Sequence, residues 1–560
     1  MPDTYQDVFS GSPRFSNPEL ATLVRSGDMA AAWRIASQGD FKAAVLTALQ
    51  GVTGDFSVGL CQPGGRTFLA VDRFAVRTMC YRVDNGQMRF AARADELADS
   101  GTEIDPQAIF DYLYFHIIPS PRTIYKGIYR LPPGHYAVFE NGKLTVAPYW
   151  VPAFEEPRNA SFGDLKDEFR QLLRNAVATQ LDGSKPACFL SGGTDSSTVA
   201  GMAALASGKT AATYSIGFDA QGYDEMAYAR LAARHFKTQH HEYYVTPADL
   251  VRSIPMVASH FDQPFGNSSA LPAYYCAKMA RDDGVSKLLA GDGGDELFGG
   301  NSRYAKQRVF GWYDHVPSLL RTKLMEPLLK TPAAARFAFT RKAVSYVEQA
   351  RVPMPDRLQM YNLIMRLGVQ EVLTPGLLAQ VDLTAPLQLQ QQVWHTAKNC
   401  SDLNMELAYD WRFTLAESDL PKVRGATSVA GVKVGFPLLD DRLLAFSQSL
   451  PSAAKLKGLQ LRWFFKSALQ GFLPDEIIKK KKQGFGLPFG LWANADATLK
   501  ALATDSLNSL VERGLIRNDF IKTLLGQRLA EHPGYFGEMV WILMTLEQWL
   551  RVKAPSYRLP

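Results

Sequence analysis

Disulfide chemistry has little to work with in this chain. Its five cysteines, Cys61, Cys80, Cys188, Cys276 and Cys400, lie far apart, with no Cys-x-x-Cys pair. An odd, scattered set excludes a disulfide frame and a close-spaced zinc site, and reads as buried thiols in a reducing compartment. No run of about eighteen apolar residues free of charge occurs, so no membrane-spanning helix is expected. The opening stretch MPDTYQDVFSGSPRFSNPE is polar and lacks the apolar segment of a secretory signal. The expectation is a soluble, cytoplasmic protein. Charge of one sign is also scarce. With 61 basic and 55 acidic residues, the net charge is only +6 over 560 residues. That mild bias suits an anionic small molecule and does not argue for nucleic acid. Repeats and low-complexity segments are absent.

What is present is ample material for several cores. Hydrophobic residues make up 46% of the chain, and the length predicts two to four domains. Residues 1 to 155 read as β-rich. Phe56 to Leu60 and Thr67 to Val71 flank Pro63-Gly64-Gly65, a hairpin signal. Met79 to Val83 and Met88 to Ala92 flank Asp84-Asn85-Gly86, and Tyr136 to Phe139 and Leu144 to Val146 flank Asn141-Gly142. Asn-Gly favours the tight hairpin turn because both residues tolerate positive φ. Serial hairpins predict an antiparallel sandwich.

The texture changes after Trp150. Ser161 to Asp164 is a helix-capping pattern ahead of an amphipathic run to Leu181. A domain boundary is therefore placed near residue 155, giving units 1–155 and 156–560. Beyond it, strand-like runs Ala187 to Leu190, Thr213 to Phe218 and Lys287 to Ala290 alternate with helical patterns, which predicts a parallel α/β sheet. After about residue 303 the patterns are nearly all helical. Trp411 to Phe413 and Trp541 to Trp549 read as helix core.

The sharpest motif is Leu190-Ser191-Gly192-Gly193-Thr194-Asp195-Ser196-Ser197, between a buried strand and an apolar helix. A strand, a Gly-Gly turn and a helix N-terminus make an anion cradle, in which backbone N–H groups and the helix dipole favour negative charge. Glycine lets a phosphate approach without a Cβ clash. Ser191, Ser196 and Ser197 add hydroxyl donors, and Asp195 can hold magnesium against phosphates. The plain alternative is a capped turn with no ligand. No lysine follows the glycines, so this is not the GxxxxGK[ST] phosphate loop. A second acidic, glycine-rich turn follows at Gly291-Asp292-Gly293-Gly294-Asp295-Glu296. Capping alone does not account for three acids among its glycines; magnesium or substrate recognition does.

The first motif resembles the SGGxDS pyrophosphate loop of ATP pyrophosphatases. It stands in order with the second strand's Ser215-Ile216-Gly217, with Asp262-Gln263-Pro264-Phe265-Gly266-Asn267, with the acidic turn, and with Lys479 to Lys482 before Gln483-Gly484-Phe485-Gly486-Leu487-Pro488. Together they resemble the synthetase domain of the asparagine synthetase B family over nearly all of residues 185–495. The resemblance implies an ATP-pyrophosphatase α/β domain with a helical C-terminal lobe. It implies ATP and Mg2+ as cofactors and a carboxylate activated as its acyl-adenylate, with AMP and pyrophosphate released. An amine or ammonia then attacks. By the same resemblance residues 190–197, 215–217 and 291–293 bind nucleotide, Asp195 and Asp295 hold the metal, and Lys482, Asp295 and Glu296 are catalytic. Lys479 is expected to be a solvated surface charge.

The N-terminal unit resembles the family's glutaminase, an Ntn-hydrolase-like sandwich, through Gly54-Asp55-Phe56-Ser57, Val71-Asp72-Arg73-Phe74 and Arg130-Leu131-Pro132-Pro133-Gly134. That half uses a cysteine after the initiator Met as nucleophile, and position 2 here is Pro2. No Asn-Gly-Glu occurs in the first fifty residues either. The expectation is a truncated sandwich without glutaminase activity. Gln263 stands where the family carries a glutamate thought to act as base, a role glutamine cannot fill. Lys433 and Gly435 replace an acid and an arginine in Leu-Glu-x-Arg-x-Pro.

Relatives lacking the cysteine include β-lactam synthetases and lasso-peptide cyclases. The first reading is therefore a glutamine-independent amide synthetase in natural-product or cell-surface polymer synthesis. It takes a small-molecule or peptide carboxylate, and a homodimer or a pathway partner stays open. The others are an ammonia-dependent asparagine synthetase, and a nucleotide-binding scaffold without activity. A thiolating pyrophosphatase would need a reactive thiol, and the nearest, Cys188, lies in a strand.

Overall fold

The computed structural model describes all residues except 1–6, 40, 63–64, 157–159, 182, 184, 315, 322, 324–337, 398–399, 482–483, 485 and 560. The hairpins read from the sequence are present. Phe56–Gln62 pairs antiparallel with Arg66–Val71, Cys80–Asp84 with Gln87–Ala91, and His135–Glu140 with Lys143–Pro148. Asn85, Gly86, Asn141 and Gly142 all take positive φ, as that turn requires. The strands form a five-stranded antiparallel sheet, with Val8–Gly11 at its edge, and a three-stranded one completed by Tyr129–Arg130.

Strand alternation sorts the side chains between two cores. Leu69 and Val71 meet Tyr81, Met88 and Phe90 between the sheets. Phe56, Val58, Phe68 and Ala70 point the other way and pack around Trp33. The β-rich expectation is here incomplete, because the outer face is covered by helices Pro18–Arg25, Met29–Ala36 and Phe41–Gln50. Two of them carry start signals: the side-chain oxygens of Asn17 and Asp28 accept backbone N–H groups of the first turn, and Pro18 opens the first.

The helix Phe162–Gln180 begins where the capping pattern put it, with the Ser161 hydroxyl accepting the Asp164 N–H. Leu165, Phe169, Leu173, Ala176 and Val177 form its buried stripe, the spacing of one helical face. Beyond it five parallel strands form a second sheet in the order Gln239–Val245, Ala212–Phe218, Ala187–Phe189, Lys287–Leu289 and Lys433–Gly435. The last strand was not foreseen: it comes from the otherwise helical region and adds beside Lys287–Leu289. Trp411, Trp541 and Trp549 are buried in core, as read. Among the described residues no helix is long and apolar enough to cross a membrane.

The N-terminal and C-terminal regions share packing. The helix Pro106–Phe115 is buried in the same cluster as the C-terminal helix Pro533–Lys553. The Tyr112 hydroxyl donates to the Ile542 carbonyl at 2.8 Å. Nearby, the buried Glu417 carboxylate accepts from Arg130 at 2.6 Å, from the Ser120 N–H at 3.1 Å, and from Arg412.

Candidate active site

In chain order the parallel strands stand third, second, first, fourth, fifth across the sheet. The chain leaves the first strand to one side for the second, and returns on the other side for the fourth. Open α/β sheets bind ligands at such a switch point, outside the carboxyl ends of the strands. Both glycine-rich turns singled out in the sequence lie there, one after Ala187–Phe189 and one after Lys287–Leu289.

The glycines are what allow the turns to meet. A Cβ on Gly291 would lie 2.7 Å from the Ser196 nitrogen, and one on Gly294 would strike the Asp195 carboxylate. Gly192 takes φ +69° and has the backbone of Tyr228 and Ala229 against it. Hydroxyls brace the loop. The Ser196 Oγ accepts the Ser191 N–H at 3.2 Å and lies 3.0 Å from the Ser191 Oγ. Ser215 donates to the Leu190 carbonyl. The helix Thr194–Ser207 opens on Gly193 without a side-chain cap, which leaves its first N–H groups for another acceptor.

These turns wall a cavity of about 1230 Å³. Leu190, Ser191, Gly193, Thr194, Asp195 and Ser196 line one side, with Ser215 and Ile216 beside them. Gly291, Asp292, Gly293, Asp295 and Glu296 line the other. Three expected nucleotide residues are not on this wall. Gly192 packs against Tyr228, Gly217 is covered by the Tyr244 ring, and the Ser197 hydroxyl is buried with no hydrogen-bond partner among the described residues. Lys482 lies outside the described residues, as do Gln483 and Phe485. Its neighbours Lys479, Lys480, Lys481 and Gly484 reach the cavity rim. Lys479 is exposed and pairs with Asp475 at 2.9 Å, as a solvated charge would. Lys480 is withdrawn onto Glu225 at 2.8 Å.

The charge arrangement adds residues that no motif marked. Arg462 bridges the two turns: its guanidinium engages Asp195 and donates to Asp295 at 2.8 Å. Burial opposes that charge, but Asp195 and Asp295 outweigh it and hold Arg462 firmly protonated. Lys422 sits 2.9 Å from Asp419 and 3.6 Å from Asp292. Burial pushes the Asp292 carboxyl up to about 6, with Lys422 pulling the other way. Lys466 has its pKa lowered by burial and by Arg462. No local pattern announces Arg462, which lies 267 residues from Asp195.

The donor set fits a magnesium ion brought in with phosphates. Asp195 and Asp295 already converge on one cation, the Arg462 guanidinium. Among the described residues no group of three or more His, Cys, Asp or Glu is placed to hold a metal. Magnesium suits such a pair, since it is commonly held by one or two carboxylates plus substrate phosphates and water.

The departures noted in the sequence lie away from this cavity. Gln263 does not face this cavity. It is buried, its amide donating to the Ile118 carbonyl and accepting the Ile124 N–H, both at 3.3 Å. Lys433 is exposed at the start of its strand, and at Gly435 a Cβ would collide with the Gln180 side chain.

A family model for asparagine synthase matches residues 168–551, and one for the glutamine amidotransferase domain matches residues 42–150. The chain is similar to asparagine synthetase [glutamine-hydrolyzing] 1 of Bacillus subtilis, with 24% identity over 88% of this chain and 76% of the relative. It is similar to a putative asparagine synthetase [glutamine-hydrolyzing] of Mycobacterium bovis, with 26% identity over 89% and 77%. A putative asparagine synthetase [glutamine-hydrolyzing] 2 of Methanocaldococcus jannaschii matches at 33% over 46% of this chain and 51% of its own length. The family match spans well over half the residues, and the chain belongs to the asparagine synthase family of ATP-dependent amide-forming ligases.

Proposed function

We propose that this chain activates a carboxylate as its acyl-adenylate, releases pyrophosphate and passes the acyl group to ammonia or an amine, without hydrolysing glutamine itself. The observation that carries this reading is the meeting of the two glycine turns at the switch point, with Asp195, Asp295 and Arg462 in one crevice.

In this reading Ser191, Gly193, Thr194 and Ser196 receive the pyrophosphate at the helix N-terminus. Leu190, Ser215, Ile216, Gly291 and Gly293 shape the wall for the rest of the nucleotide. Asp195 and Asp295 hold the magnesium ion, which when bound offsets phosphate charge. Arg462 pre-positions those carboxylates and stays beside the leaving group. Glu296 and Asp292 face the acceptor side, with Lys422 fixing Asp292. Lys482 is assigned the cation that steadies the tetrahedral intermediate.

The division into two units falls near residue 155, and the N-terminal unit acts as scaffold. Its two thiols support that view. Burial raises the pKa of Cys61, and burial pushes Cys80 up further, so neither is a ready thiolate.

A second reading takes aspartate as the carboxylate, to which the relatives' names as asparagine synthetases point, with free ammonia as the nitrogen source. The test incubates purified protein with ATP, magnesium and aspartate, with ammonium in one arm and glutamine in the other. Asparagine from ammonium alone establishes the second reading. ATP cleavage with no asparagine directs the search to other carboxylates. Asparagine from glutamine at the ammonium rate contradicts the loss of glutaminase activity.

A further inference from the structure

A second cavity of about 430 Å³ lies between the five-stranded antiparallel sheet and the synthetase unit. The two cavities share a wall. The helix Leu420–Ala430 presents Lys422 and Val423 to the first, and Pro421, Arg424 and Gly425 to the second. The segment that follows Phe261 divides likewise, with Asn267 on the nucleotide side and Asp262 and Gln263 on the other.

Four guanidinium groups line this second space: Arg77, Arg93, Arg130 and Arg424. Three have carboxylate partners, Arg77 with Asp55 at 2.8 Å, Arg93 with Asp95 at 2.9 Å and Arg130 with Glu417 at 2.6 Å. Arg424 has none. Its Nη1 donates to the Val76 carbonyl at 2.9 Å and the Thr78 hydroxyl at 3.2 Å, both neutral. Among the described residues no carboxylate forms an ion pair with it. Burial, with Arg77 and Arg130 nearby, lowers its pKa to about 10, while Asp262 and Asp72 pull the other way. The Asp262 Oδ2 is itself occupied by the Ala94 N–H at 3.1 Å.

On the sheet side Ser10 and Ser57 are directly opposed in register, and both line the cavity. Ser57 is fully buried, and its hydroxyl has no hydrogen-bond partner among the described residues. A buried hydroxyl without an acceptor and a half-buried cation without an anion are each unfavourable. One oxyanion between them would satisfy both, and the planar fork of a guanidinium matches a carboxylate or a phosphate.

We propose that this cavity binds a small oxyanion, the carboxylate or phosphate group of a ligand other than the nucleotide, held by the Arg424 guanidinium and the Ser57 hydroxyl. The site goes beyond the adenylating crevice and stands or falls separately from it.

Calorimetric titration of the full chain tests it, with the nucleotide crevice first saturated by a non-hydrolysable ATP analogue. Inorganic phosphate is the probe in one arm and succinate in the other. At least one should bind at millimolar concentration or better, and the arm that binds names the group. Arg424→Gln should weaken that binding about tenfold or more and Ser57→Ala about threefold, with affinity for the ATP analogue unchanged. Should Arg424→Gln fail to fold, Ser57→Val decides, with a loss of about threefold or more expected. No binding in either arm, or binding that these variants leave untouched, overturns the proposal.

Discussion

In the antiparallel unit, the buried Asp72 carboxylate accepts the backbone N–H groups of Phe56, Phe74, Val76 and Arg77. At the carboxyl ends of the parallel sheet, the Asp195 carboxylate is instead paired directly with the Arg462 guanidinium on the wall of a cavity. Glu417 belongs with Asp72: it is buried and ties Arg130, Arg412 and Ser120 together where the two units meet. Asp292, Asp295 and Lys422 belong with Asp195. Acids of one chemistry thus serve two ends. Those bound to backbone or enclosed with arginine hold the fold, and those held by side chains over an open space can exchange partners when a ligand arrives.

The widest contrast is expected from a pair of variants. Arg462→Ala leaves Asp195 and Asp295 facing each other, and loss of one partner in a buried ion network costs about 3–5 kcal/mol. Glu417→Ala strands Arg130 and Arg412 and should cost a similar amount, again about 3–5 kcal/mol. Thermal melts with and without magnesium and ATP separate them. Arg462→Ala should recover much of its loss with ligand, because the magnesium–phosphate charge replaces the guanidinium's. Glu417→Ala should shift only as far as the wild type does. Equal rescue of both would erase the distinction.

A backbone probe comes next. Gly291→Ala places a methyl group against the Ser196 nitrogen, and overpacking of that kind costs about 1–3 kcal/mol. Because it forces the two turns apart, ATP affinity should drop about tenfold in equilibrium dialysis. Full affinity would mean that the turns need not touch.

Asp292 offers a smaller effect with a definite sign. Burial raises its pKa from 3.8 to about 6. A raised carboxyl contributes stability that is full below the lower value and is lost as pH climbs through the higher one. Asp292→Asn mimics the neutral form, so its urea-denaturation stability should stay flatter across that window. The difference from wild type should be about 1–3 kcal/mol by the upper end, and parallel pH curves would refute it. Smallest of all, Cys61→Ser should leave ammonium-dependent turnover unchanged, since burial keeps that thiol protonated.

The sequence announced those parts whose cause is local. Asn-Gly turns, the Ser161 cap and both glycine turns each depend on a few consecutive residues, and all stand where they were read. The helices over residues 18–50 had comparable signals at Asn17, Pro18 and Asp28, but the hairpins downstream set the reading for the whole unit. Arg462 and Lys422 were not legible, because their meaning comes from partners far along the chain. The surroundings of Gln263 were not legible for the same reason: its side chain holds the backbone of Ile118 and Ile124, remote in sequence, beside the other cavity. The strand Lys433–Gly435 is three residues long and owes its place to the neighbouring strand rather than to its own pattern.

If the crevice between the two glycine turns cleaves ATP between its α and β phosphates, the products carry the proof. Wild-type protein and Asp195→Ala would be incubated with ATP, magnesium and a panel of carboxylates and amines, and AMP, ADP, pyrophosphate and phosphate quantified together. AMP and pyrophosphate are expected in equal amounts, dependent on a carboxylate and reduced about 100-fold or more by Asp195→Ala. ADP and phosphate as products, or AMP formation indifferent to Asp195, would contradict it.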